Sequence, residues 1–142
     1  MWTVSLRLIC LTFFIFLLPS CLHRSDQNQA YAKTLFDLQT FVDCIKSCEE
    51  GGIQIHQQQT LDGVLALLLK LNMIGSTERK LMLNDGWGRP YRWSSVETQN
   101  GFEVTIASGA RNGFSHKTTE GEMCAIIKKQ GEIITASVYP DK

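Results

Sequence analysis

An apolar run near the start of this chain constrains everything after it, because it separates an export signal from whatever folds. Leu8 to Leu18 form a stretch of about eleven largely apolar residues, with Arg7 as its positive flank. The stretch closes in Leu18-Pro19-Ser20-Cys21, a small residue directly before a cysteine. It is too short to span a bilayer, which takes about 20 residues. Residues 1–20 are therefore set aside as a signal peptide, which leaves about 120 residues. That is enough for one compact domain with a single core and too few for two ordinary ones.

The leader resembles the export and lipidation signal of a bacterial lipoprotein, which implies that the mature chain begins at Cys21 on a lipid anchor. A thiol there takes a diacylglycerol, the signal is cut before it, and the freed amine takes a further acyl chain such as palmitate. Each buried methylene contributes about 0.8 kcal/mol, so two or three chains hold a protein firmly on a membrane. Pro19 departs from the Ala, Ser or Thr more usual at its position. In Gram-negative lipoproteins an aspartate after the acylated cysteine favours the inner membrane, whereas Leu22 follows here. The resemblance thus implies attachment to the outer membrane, facing the periplasm.

Charge excludes some partners. The 14 basic and 14 acidic side chains balance, and no dense Lys/Arg cluster supports a nucleic-acid partner or a polybasic membrane patch. With Cys10 in the signal and Cys21 assigned to lipid, Cys44, Cys48 and Cys124 remain, an odd number for an oxidising compartment. Cys44 and Cys48 fall on one face of a helical pattern, where a bridge between them is disfavoured. A disulfide from one of them to Cys124 is one expectation; three small buried hydrophobes is the other. No metal site is expected, because no His or second Cys pair stands at ligand spacing.

Residues 21–29 read as the lipidated cysteine and a short polar tether, and residues 30–142 as the folded domain. From Tyr31 the apolar residues Leu35, Leu38, Val42 and Ile45 follow a helical period, with Phe36 and Phe41 widening the stripe. Gly51-Gly52 ends this helix. Thr60 is a suitable N-cap for a second, largely buried helix carrying Asp62, Val64, Leu65, Leu67, Leu68 and Leu71. After Gly75 the pattern changes to short β-rich runs at 91–93, 102–106, 124–127 and 133–139, with Gln130-Gly131 signalling a hairpin. The expected class is α+β: a long N-terminal amphipathic helix and a second helix packed on an antiparallel sheet of about four strands.

One segment carries a second resemblance. In Asp85-Gly86-Trp87-Gly88-Arg89-Pro90-Tyr91, both glycines are expected at positive φ, so that the chain reverses and turns the indole inward. Asp85 is expected to accept backbone N–H bonds, and Pro90 to fix entry into a strand. The segment resembles the Asp-Pro-Trp-Gly-x-Pro-Tyr motif of type II secretion major pseudopilins. Phe102 to Gly113 is similar to that family's strand and Ser-Gly loop, so the resemblance covers roughly residues 30 to 113. It implies a pseudopilin-like fold and structural roles for these residues. A pseudopilin has a different leader and a long apolar helix that lipidation at Cys21 would replace, so the chain is not expected to build a filament in the usual way. The family binds calcium through acidic residues of its last loop; Arg111 stands at the aspartate position, Glu120 and Glu122 alone are a poor set, and no calcium or other cofactor is expected.

No catalytic constellation emerges. His23, His56 and His116 lie apart without a nucleophile at a recognisable spacing, and Ser108-Gly109 is no nucleophile elbow. Tyr91 and Trp93 share a strand face and read as core. The polar loop from Ser108 to Gly121, with Arg111, His116 and Lys117, is the expected contact surface for an acidic partner. Two functions remain: a non-enzymatic, lipid-anchored interaction or accessory component of a type II secretion or type IV pilus-like system, or a free-standing periplasm-facing module that binds a small molecule, peptide or envelope polymer.

Overall fold

In the computed structural model, residues 3–109 and 123–139 are described, with their side chains from residue 26 onward. Arg111, His116 and Lys117 of the expected contact loop, with Glu120 and Glu122, lie outside the described residues, as does the Cys21 side chain.

The chain opens with one α-helix, α1, at Thr3–Glu50. It runs through residues 22–29, so the segment expected to be a polar tether is helical. Residues 22–29 hold no glycine or proline, and nothing in their backbone chemistry breaks a helix already fixed by packing downstream. Among the described side chains, Ala30 is the first buried apolar residue. From there Leu38, Phe41, Val42, Ile45 and Cys48 enter the core, spaced at three and four residues. The expected stripe is corrected at its start, where Leu35 and Phe36 are 36% and 72% exposed. Thr34 and Asp37 take the buried face instead.

Gly52, at φ 80°, ends α1. The Gly52 N–H donates to the Glu49 carbonyl and the Ile53 N–H to the Cys48 carbonyl, at 3.1 and 2.8 Å, the two bonds of a left-handed helix cap. A 3-10 turn follows at Ile55–Gln57, with Ile55 fully buried. Helix α2, at Leu61–Lys70, starts as its sequence predicts: the Thr60 hydroxyl accepts the Gly63 N–H. It buries Leu61, Val64, Leu65 and Leu68. A short helix, α3, at Ser76–Leu81, buries none of its residues. The Glu78 carboxylate accepts the Gly75 N–H at its start, and Arg79 pairs with Asp62 of α2 at 2.9 Å.

Four strands complete the domain: β1 at Arg92–Thr98, β2 at Gly101–Ser108, β3 at Met123–Gln130 and β4 at Ile133–Tyr139. They form an antiparallel meander in chain order. Gly131, at φ 61°, makes the β3–β4 hairpin. Cross-strand pairs such as Val104 with Ile127 and Ile106 with Ala125 put alternate residues on one face. That face meets α1 across β3 and β4, and the 3-10 turn across β1 and β2. The protein is thus an α+β domain whose core lies between α1, α2 and one side of the sheet.

This alternation decides the disulfide question against Cys124. Met123, Ala125 and Ile127 are buried toward α1, so Cys124 points to the opposite side of β3. All three cysteines are thiols. The sheet itself separates Cys124 from Cys44 and Cys48, whose side chains are buried on α1.

Candidate functional site

The Asp85–Tyr91 turn is clamped to α1 by groups on successive helical turns. Asp85 is 2% exposed. One carboxylate oxygen, Oδ1, accepts the N–H groups of Trp87 and Arg89, each at 2.9 Å. The other, Oδ2, accepts the Ser108 hydroxyl at 2.6 Å, tying the turn to the end of β2. Three donors on one carboxylate replace the water it loses on burial. The expected role of Asp85 is therefore met and extended by Ser108.

The two glycines do different work. Gly88 has φ 76°, the backbone freedom its sequence context predicts. Gly86 is there for proximity: a Cβ on it would lie 1.9 Å from the Ala30 carbonyl oxygen. Its N–H donates to the Thr34 hydroxyl at 2.8 Å, which in turn donates to the Ala30 carbonyl at 2.9 Å. The expectation of positive φ at both glycines is thus corrected at Gly86. Trp87 packs against the core as partly buried apolar surface, with its indole Nε1 buried and without a hydrogen-bond partner among the described residues. Pro90 precedes the strand and bridges to Asn84.

The next turns of α1 carry the electrostatics. Lys33 Nζ donates to Asp37 at 2.6 Å and to the carbonyls of Leu81 and Asn84 at 3.0 and 2.8 Å. Tyr91 donates its hydroxyl to the same Asp37 oxygen at 3.0 Å, and its ring meets Phe41 edge-on at 5.7 Å. Burial, then the Asp37 charge, pushes the Tyr91 phenol well above its ordinary value. Tyr91 stays a neutral donor, and α1 holds the turn by Ala30, Lys33, Thr34, Asp37 and Phe41.

A second buried polar group is one to which sequence reasoning gave no role. His56 packs beside Glu49 at the end of α1; their side chains are 13% and 3% exposed. One Glu49 oxygen, Oε1, accepts the His56 backbone N–H at 2.9 Å and contacts Nδ1 at 2.8 Å. The imidazole stacks on Phe102, 4.3 Å between centroids and 7° from parallel. Ser95 spends its hydroxyl on the His56 carbonyl rather than on the ring. The only sequence signal was a glutamate beside a helix end, which is too common to be diagnostic. Beside this pair an open cleft of about 450 Å³ is lined by residues including His56, Gln57, Gln58, Gln59, Trp93 and Glu97. The Trp93 indole N–H donates to the Gln58 carbonyl at 2.8 Å. A larger open cleft, about 650 Å³, lies at the hairpin ends around Gln99, Asn100 and Gly131.

Comparison with protein-family models, with curated proteins and with solved structures gives no match. The site is therefore read from its own geometry. Among the described residues no helix is long and apolar enough to cross a membrane, and no three His, Cys, Asp or Glu side chains gather around a common point. The buried polar groups of the turn are all engaged in holding it, apart from the Trp87 indole.

Proposed function

We propose that the chain is a lipid-anchored cell-envelope protein, held by acyl chains on Cys21, whose pseudopilin-like domain is a non-enzymatic interaction or accessory component of a type II secretion or type IV pilus-like system. The observation that carries this reading is the docking of the Asp85–Tyr91 turn on α1 through Gly86 and Thr34. It supports a structural role for the residues that resemble the pseudopilin motif, and it ties the sheet to the helix that leads back to Cys21. At 1.5 Å per residue, the helix from Cys21 to Ala30 is only about 14 Å long. Lipidation would hold the domain close to the bilayer, in reach of other envelope proteins. Leu22 after the anchor supports the outer membrane.

The test is site-specific photo-crosslinking in cells, with probes at the exposed positions Phe36 and Val96. Recovery of secretion or pilus components supports the proposal, and crosslinks to unrelated proteins alone count against it. A second reading, a free-standing binding module for a small molecule, peptide or envelope polymer, draws support from the polar cleft beside His56 and Trp93. Saturable binding of an envelope polymer, lost in Trp93→Ala, would favour it.

A further inference from the structure

Helices α1 and α2 end in the same kind of left-handed cap, and the two caps set sulfur against sulfur. In α2 the Asn72 N–H donates to the Leu69 carbonyl and the Met73 N–H to the Leu68 carbonyl, each at 3.0 Å. Asn72, at φ 56°, is the only non-glycine residue with positive φ among the described residues. It turns Met73 back so that its Sδ lies 3.2 Å from Cys48 Sγ. Cys44 stands one helical turn before Cys48, on the same face of α1, and is buried with it.

We propose that Cys44, Cys48 and Met73 form a binding site for a soft monovalent cation of the Cu(I) or Ag(I) type. Thiolate and thioether sulfur select such ions over hard ones. The nearest carboxylate in sequence that is buried, Glu49, is already engaged by His56, and among the described residues no further His, Cys, Asp or Glu completes the four-ligand set that zinc takes. With metal–sulfur bonds of about 2.3 Å, three sulfurs around one ion sit about 4 Å apart. The Cys48–Met73 pair therefore opens by under about 1 Å, which the flexible thioether chain supplies without moving either helix. Met73, 36% exposed, is the point of entry, and the buried Cys48 lies against it. On binding, each thiol loses its proton to water and forms a metal–sulfur bond, and the thioether donates a lone pair. No electron is transferred, because the ion enters already monovalent.

This inference does not depend on the proposed function. The full chain, purified under anaerobic reducing conditions, is titrated with Ag(I) and with Cu(I) as its acetonitrile complex against a chromogenic Cu(I) chelator. One ion per chain is expected, in a sulfur-only shell of three by X-ray absorption. Cys44→Ser and Cys48→Ser abolish the tight site. Met73→Leu, close in volume and safe for the fold, weakens it at least about tenfold, the smallest loss that removing a metal-site partner produces. Cys124→Ser changes nothing. A Met73→Leu chain that binds as tightly as the parent, or binding that follows Cys124, overturns the proposal.

Discussion

Adding one methyl group at Gly86 should detach the turn from the helix. The new Cβ would lie 1.9, 2.4 and 2.5 Å from the carbonyl oxygen, carbonyl carbon and Cα of Ala30. All three are backbone atoms within a helix, so the turn must retreat by more than about 1 Å, an overpacking cost of about 1–3 kcal/mol. Retreat also breaks the Gly86–Thr34 hydrogen bond and leaves the part-buried Gly86 N–H without its acceptor, for about 1–3 kcal/mol more. Gly86→Ala is thus expected to lose about 2–6 kcal/mol, a large part of the 5–15 kcal/mol typical of a domain. Gly88→Ala is the control: no atom lies within 4 Å of its Cβ, and only its positive φ is penalised, by about 1–2 kcal/mol. Urea unfolding followed by tryptophan fluorescence reads both, with Trp87 reporting the turn directly. If Gly86→Ala proves no worse than Gly88→Ala, the close packing of turn on helix is not what holds them together.

Three further perturbations follow from the same contacts. Tyr91→Phe removes a donor to the ionised Asp37 and should cost about 1.5–3 kcal/mol in chemical unfolding at neutral pH. Because folding raises the Tyr91 phenol, its contribution is complete below the ordinary value of 10.0 and falls as pH rises above it; Tyr91→Phe should flatten that alkaline loss in a pH series of unfolding midpoints. Glu49→Ala leaves the His56 N–H and ring without their acceptor and should cost about 2–3 kcal/mol by thermal unfolding, with the His56 ring resonances losing their Phe102 ring-current shift in NMR spectra. Lys33→Met removes the charge shared by Asp37 and two carbonyls and should cost about 1–3 kcal/mol.

Local chemistry was legible in the chain, and long-range contact was not. Gly51-Gly52, the Thr60 cap, Gln130-Gly131 and the four β-rich runs all announce themselves over a few residues, and each lies where expected except the first strand, which starts after Tyr91 and runs on to Thr98. The hydrophobic period foresaw Leu38, Val42 and Ile45, yet it could not show that Leu35 and Phe36 face outward. The strip beside them is covered by a turn some 50 residues away, which prefers Thr34 and Asp37 because they hydrogen-bond. Gly86 looked like a conformational glycine, since its real constraint belongs to Ala30 on another element. Cys124 looked like a disulfide partner until strand alternation turned it away from α1. The sulfur contact of Cys48 with Met73 joins two helix caps 25 residues apart, and no spacing rule covers a thioether.

The account rests on a domain hung from acyl chains at Cys21. Intact-mass analysis of the protein extracted from membranes, beside its Cys21→Ser variant, tests this most directly. The account predicts a mature chain that begins at Cys21 and carries the added mass of two or three acyl chains, with no such species in the variant. A membrane-extracted chain that keeps residues 1–20 and has no acyl mass would contradict it.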